Sequence, residues 1–186
     1  DVNKSKEGKL IFEHDEVDVS GLMYSKKRKV LTGVNYTLAK REVEFFDSWR
    51  EGIQEKLEKK LPGYEVGITS FSKDETKAVV VTYSDKSRGT YYYYDVENDK
   101  LTELGKISPW LNEDHMAEMK PITYKSRDGL TIHGYLTLPK GSNGKNLPVV
   151  VNPHGGPWAR DTWGYRPEIQ FLANRGYAVF QMNFRG

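Results

Sequence analysis

Hydrophobic and polar positions change their spacing twice along this chain. Across residues 21–104 the apolar residues come in short runs, alternating with polar ones in 77–83 and turning aromatic in 90–96, and polar turns separate the runs. A period of two over such lengths predicts β-strands in a meander. Within this region Tyr24-Ser25 returns as Phe71-Ser72, Tyr36 as Tyr83 and Phe45-Phe46 as Tyr92-Tyr93, an offset of about 47 residues that lies in the range of propeller blades. Each copy can supply the strands of one blade. In the second copy they are expected at 67–71, 77–83, 90–96 and 101–104, joined by turns at 73–75, 85–89 and 97–99. Between the copies the spacing lengthens: Trp49, Ile53, Leu57 and Leu61 form an apolar stripe, Asp47 or Ser48 can cap its start, Glu55 and Lys59 make an exposed pair, and Pro62-Gly63 ends it. That pattern predicts one helix.

Periodicity lapses over residues 105–119, which hold Pro109, Trp110 and the acidic Glu113-Asp114. The domain junction is placed there, with the C-terminal blades of a β-propeller in 1–115 and a second domain in 116–186. Beyond it, runs at 122–125 and 131–138 flank Asp128-Gly129, a hairpin signal, and Leu130, Ile132, Leu136 and Leu138 keep a period of two. Residues 148–152 are a near-continuous apolar run, expected as a buried strand. Residues 167–175 are a helix with Ile169, Leu172 and Ala173 inward and Gly176 at its end, and 177–182 are another apolar run. A hairpin followed by strand, helix and strand is how an α/β-hydrolase sheet begins. The expected fold class is therefore all-β propeller blades followed by the N-terminal part of an α/β-hydrolase domain, incomplete in this chain.

Composition narrows the function classes. With 186 residues there is enough chain for one large domain or parts of two. Mean hydropathy of −0.70 is on the polar side, but twelve Tyr are too many for a disordered tail. The run Lys26-Lys27-Arg28-Lys29 is short, sits at an expected turn and reads as solvated, so nucleic acid is not an expected partner. No run approaches the roughly 18 apolar residues of a membrane span. The start, Asp-Val-Asn-Lys-Ser-Lys-Glu, resembles neither a signal peptide nor an initiator Met, so trimming at both ends is expected. The absence of Cys excludes disulfides, thiolate zinc sites and a Cys nucleophile, and leaves cytoplasm and bacterial periplasm both open. His14, His115 and His133 lack ligand spacing, so no metal or cofactor is expected. The run at 91–94, all Tyr, reads as packing on a strand covered on both faces.

The chemistry concentrates at Pro153-His154-Gly155-Gly156-Pro157, directly after the Val-rich run. Attack on an ester or amide carbonyl puts negative charge on its oxygen, and each fixed amide donor lowers that barrier by about 3 to 4 kcal/mol. Gly155 and Gly156 have no Cβ, so backbone can approach a substrate and take angles forbidden to other residues, while the prolines stiffen both flanks. At the C-terminal end of a strand in an open α/β sheet, where ligands bind, such a turn is an oxyanion-hole candidate. The plainer alternative is a tight turn and nothing more. His154 reads as fixing the turn by hydrogen bonding, because triads in this fold place their His after the nucleophile. Trp158, Trp163 and Tyr165 line a pocket or simply pack, and Arg160 and Arg185 hold a substrate carboxylate or tie loops together. No Gly-x-Ser-x-Gly occurs anywhere.

Arg127-Asp128-Gly129-Leu130, Gly134-Tyr135-Leu136 with Pro139, His154-Gly155-Gly156-Pro157 with Arg160, Gly164-Tyr165, Gln170-Phe171-Leu172-Ala173, Arg175-Gly176-Tyr177 and Asn183-Phe184-Arg185-Gly186 follow one another in order. This series resembles consecutive landmarks of the prolyl oligopeptidase family of serine peptidases, in its acylaminoacyl-peptidase and dipeptidyl-peptidase-like bacterial branch. Residues 1–115 are similar, more loosely, to the closing blades of that family's propeller, whose inserted helix would match 48–61. The resemblance implies an enzyme that cleaves short peptides, with a propeller that excludes folded proteins and a hydrolase domain that carries Ser, Asp and His. It makes the Gly156 amide one oxyanion donor and puts the triad beyond Gly186, so this chain alone is expected to be inactive. An uncovered apolar face or open sheet edge at residues 180–184, available for self-association, is expected with it. Two alternatives stay open: a non-catalytic propeller-type module that binds peptide or protein, and an α/β-hydrolase esterase.

Overall fold

The computed structural model of the chain describes residues 8–156 and 158–185. They divide into two compact units, Asp1–Glu51 and Gly52–Gly186. In the first, β1 (Val19–Ser25), β2 (Val30–Thr37) and β3 (Arg41–Phe45) form an antiparallel sheet in the order β1-β2-β3. The basic run is the β1–β2 turn, with Lys29 at φ 55°. One of its members also anchors the neighbouring chain. Arg28 donates to both carboxylate oxygens of Asp47, at 2.6 and 2.9 Å, and lies 4.6 Å over the Trp49 ring. Asp47 in turn accepts the Arg50 amide at 2.9 Å, which starts helix α1 (Ser48–Lys60) with the carboxylate cap that its sequence calls for.

Within the second unit the stripe of α1 packs as expected, Ile53, Leu57 and Leu61 being buried together with Ala78, Val80 and Tyr94. The surface they cover is a four-stranded antiparallel sheet, β4 (Glu65–Phe71), β5 (Lys77–Tyr83), β6 (Thr90–Asp95) and β7 (Lys100–Lys106), paired in chain order. These are the strands expected of one blade. The 47-residue offset carries β1, β2 and β3 approximately onto β4, β5 and β6. At the position matching β7 the first copy has α1, because its apolar residues there repeat at helical spacing. The first copy therefore supplies three described strands, not a whole blade. The Tyr run also differs from expectation. Tyr94 is fully buried and Tyr92 packs on the core, whereas Tyr91 and Tyr93 are 41% and 37% exposed, so one face of the strand is covered and the other only in part.

A third sheet, mixed in direction, contains β8 (Met119–Lys125), β9 (Thr131–Thr137), β10 (Val149–Val151) and β11 (Ala178–Asn183) in the order β10-β11-β9-β8. The β8–β9 hairpin closes through residues 126–130, where the Ser126 amide donates to the Leu130 carbonyl at 2.9 Å and Gly129 takes φ +85°. The hairpin is antiparallel, β9 pairs antiparallel with β11, and β11 pairs parallel with β10 through the crossover helix α2 (Pro167–Asn174). Contact between β9 and β11 is close enough that a Cβ on Gly134 would meet the Gln181 carbonyl at 2.4 Å. Helix α2 covers a core of Met119, Tyr135, Ile169 and Val179, with Trp163 and Leu172 against it.

Two expectations about this sheet are corrected. The run at 148–152 is not a buried strand: β10 is the edge strand, and Val149 and Val151 are 59% and 52% exposed. Of the two alternatives expected at 180–184, an open edge is not found, because β11 is flanked by β10 and β9 and the edges of the sheet are β10 and β8, whereas Phe184 is 37% exposed. Both sides of β9 carry buried residues: Ile132, which its apolar alternation marks, is 7% exposed, and Tyr135 and Thr137 on the other side are buried at 2% and 0%. Mostly β, with three open sheets and few helices, the chain has the character of propeller blades with an α/β segment after them.

Candidate oxyanion turn

Parallel pairing decides what the candidate turn meets. Since β10 and β11 run the same way, the residues that follow them emerge side by side, and the ladder continues one residue past β10 through the Asn152 amide on the Phe180 carbonyl at 2.8 Å. The chain then turns at Pro153, His154, Gly155 and Gly156, beside Asn183 and Phe184. The His154 ring stacks on Phe184 at 4.1 Å between centroids and 13° between planes. Its Nδ1 lies 2.6 Å from the Gly155 carbonyl oxygen, and its Nε2 is buried without a hydrogen-bond partner among the described residues.

Gly155 and Gly156 are exposed, and neither amide has an intramolecular acceptor among the described residues. Two backbone donors at the end of a parallel strand are thus unspent. The reason expected for their being glycine needs correction: neither adopts a positive φ. What each provides is clearance. A Cβ on Gly155 would meet nothing within 4 Å, and one on Gly156 would come to 3.7 Å from Phe184, so side chains there would occupy the open side of the turn and not collide with the fold. Pro157, expected to stiffen the second flank, lies outside the described residues.

The remaining candidates separate by burial. Trp158 is 93% exposed. Trp163 is half-buried in the α2 core and donates from Nε1 to the Met119 carbonyl at 2.9 Å, so its position is fixed by packing. Arg160 is exposed, donates to the Asp161 carbonyl at 3.4 Å and also meets the buried Tyr135 hydroxyl. Burial pushes the Tyr135 phenol up from its ordinary range and Arg160 opposes that. Tyr165 is half-buried in the same loop. Arg185 pairs with Asp128 across the hairpin turn, which gives it the loop-tying role. Two residues to which sequence reasoning assigned no role hold the loop in place. Asn183 accepts the Asp161 amide at 2.7 Å and donates to its carbonyl at 3.2 Å, and Phe184 carries the His154 ring. The signal was their place at the end of β11 and directly after it, a strand paired in parallel with β10.

A second cluster that sequence could not reveal surrounds Gln170 on α2. Its amide donates to the carbonyls of Asp85 and Ala117 at 2.9 and 2.8 Å and accepts the Ala117 amide at 2.8 Å, while the Asp85 carboxylate accepts the Met119 amide at 2.8 Å. The β5–β6 turn, the 117–119 segment and α2 are thus joined by buried bonds. Beside this cluster a polar cavity of about 480 Å³ is lined by Tyr64, Lys86, Arg88, Lys106 and Glu113 among others. Burial first, then the neighbouring Glu113, pushes the Tyr64 phenol up to about 12. Among the described residues no group of His, Cys, Asp or Glu could hold a metal ion, and no helix is long and apolar enough to cross a membrane.

No family model matches the chain. Dipeptidyl aminopeptidase BIII of Pseudoxanthomonas mexicana is 34% identical over 184 residues, covering 95% of this chain and 27% of its own length. A solved prolyl endopeptidase superposes with TM-score 0.65 at 18% identity, over 95% of this chain and 25% of its own. Dipeptidyl peptidase 4 of Porphyromonas gingivalis gives TM-score 0.65 at 16% identity, over 97% and 26%. The chain spans about a quarter of the length of the relatives it matches. At these identities the two structures show a shared fold, and the first relative shows that the resemblance read from residues 116–186 extends over nearly the whole chain.

Proposed function

We propose, from its kinship with peptidases of the prolyl oligopeptidase family, that this chain is a segment of a serine peptidase hydrolysing short peptides of the dipeptidyl- or acylaminoacyl-peptidase type. Residues 1–115 contribute closing blades of the propeller, and residues 116–186 open the α/β-hydrolase domain. The observation that carries this reading is the pair of unspent amides at Gly155 and Gly156, exposed at the end of β10. Charge that develops on a scissile carbonyl oxygen would be met there by the Gly156 N–H, a donor of the kind worth about 3 to 4 kcal/mol in the transition state. His154 orients the turn, and Trp158, Arg160, Trp163 and Tyr165 bound its approach.

Acyl transfer also needs an activated alcohol and a base, and this sequence holds no Gly-x-Ser-x-Gly. The chain by itself therefore orients a carbonyl without attacking it. The open β10 edge supports the same reading, since a parallel sheet of this type continues by adding strands there, from the same polypeptide or a second copy. The purified 186-residue chain should not cleave chromogenic dipeptides, whereas the intact peptidase should, with sensitivity to a serine-directed inhibitor. Inhibitor-sensitive turnover by the 186-residue chain, or an intact protein that cleaves esters and no peptides, would refute it.

A further inference from the structure

The proton arrangement on His154 follows from what surrounds it. A carbonyl oxygen only accepts, so the 2.6 Å contact with the Gly155 oxygen requires the hydrogen to sit on Nδ1. In the neutral imidazole the other nitrogen is then a bare acceptor, and Nε2 is the atom that is buried with no partner among the described residues. The ring is held flat against Phe184 at 4.1 Å, so it does not swing away from the carbonyl.

One consequence reaches the next amide. The Gly155 carbonyl and the Gly156 N–H belong to a single trans peptide, in which the C=O and N–H bonds point in opposite directions. Drawing the carbonyl toward the imidazole therefore turns the Gly156 N–H away from it, toward the side where it has no acceptor among the described residues. With glycine on both sides, no side chain resists rotation of that peptide, and a Gly-Gly unit without a holder has many backbone states to lose. We propose that His154, as the Nδ1–H tautomer clamped on Phe184, is a positioning residue that locks the Gly155–Gly156 peptide with its amide open to a substrate carbonyl. This rests on the peptidase reading for its catalytic half, and on the geometry alone for the tautomer and the lock.

Two measurements test it. In the 186-residue chain with ¹⁵N-labelled histidine, the imidazole nitrogen resonances of His154 should show a protonated Nδ1 and a bare Nε2 at neutral pH. The opposite tautomer, or averaging between the two, overturns the lock while leaving the peptidase reading in place. In the intact peptidase, His154→Phe keeps the stack on Phe184 and deletes the donor, so kcat on a dipeptide substrate should fall on the order of 10²-fold with KM nearly unchanged, as when an oxyanion donor is lost. His154→Asn restores an N–H near the Nδ1 position and should recover much of kcat. Unchanged kcat in the Phe variant, or equal losses in both, overturns the positioning role. An intact protein with no inhibitor-sensitive cleavage overturns the peptidase reading and the catalytic half of this one with it.

Discussion

Thr137 is wholly buried, yet among the described residues its hydroxyl has no hydrogen-bond partner, and the Oε1 of Gln181 on the neighbouring strand is in the same condition. An unsatisfied buried polar atom costs about 1 to 3 kcal/mol, whereas an apolar group of the same shape costs nothing of that kind. Thr137→Val should therefore leave stability unchanged or raise it by up to about 1 kcal/mol. Urea unfolding reads this directly: a midpoint lowered by the substitution would show that the hydroxyl is satisfied by something else in solution. These side chains also form a buried side of β9 that its apolar alternation does not mark, beside the buried Ile132 that it does. Leu130, Ile132, Leu136 and Leu138 spell an apolar alternation, while the face under α2 is built from Tyr135 and Thr137, opposite Gln181 and Val179. Polar identity concealed burial. Likewise, His154 was readable as the residue that fixes its turn, but its companion Phe184 could not be assigned without knowing that β10 and β11 lie in parallel.

Among the elements, α1 was the most legible, because spacing, cap and stop signals agree. Its start is also the most testable. Asp47 accepts the Arg50 amide and both guanidinium bonds of Arg28, and the Arg28 side chain first, against a smaller burial penalty, holds the carboxyl below the usual carboxylate value. A carboxyl whose pKa is lowered on folding stabilises the fold at pH above its unfolded value, near 3.8, and loses that contribution as pH falls through its folded value. Asp47→Ala should cost about 1 kcal/mol for the cap, with little more from the partly solvated ion pair, and should flatten the acid limb of a stability–pH profile below pH about 4. Equal acid sensitivity in variant and parent would refute the assignment. The contrary case is β10. Three consecutive valines state that a strand exists, but not whether another strand lies beyond it, and edge position is a property of pairing that no local pattern encodes.

At the scale of the molecule, the change of texture near residue 115 was visible in sequence, but the bonds across it were not. Asp85 and Gln170 stand far apart in the chain, and neither looks like a core residue. In the fold Asp85 is 7% exposed and Gln170 is 7% exposed, and between them they satisfy the Ala117 amide and carbonyl, the Met119 amide and the carbonyl of Asp85 itself, just past β5. A side-chain amide that bonds both polar groups of one residue substitutes for a missing strand neighbour, so the 117–119 segment is held as if it were paired. The second unit, Gly52–Gly186, should accordingly unfold cooperatively, with the blade and the α/β segment coupled through Gln170. Gln170→Leu keeps approximately the volume and removes all three of its bonds, stranding an N–H and two carbonyls at about 1 to 3 kcal/mol each before relaxation. Hydrogen exchange at the Ala117 and Met119 amides should accelerate strongly, and the single denaturant transition should broaden or split as the β4–β7 sheet and the β8–β11 sheet come apart at different concentrations. Gln170→Glu separates shape from chemistry: it retains the acceptor for the Ala117 amide but as a carboxylate aims a second oxygen at the two carbonyls, so at neutral pH its exchange rates should be at least as high as those of the Leu variant and should fall at acid pH, where a protonated carboxyl can donate. If both variants unfold in one sharp step at the parental midpoint, the coupling runs through the apolar packing of Met119 and Trp163 and not through Gln170.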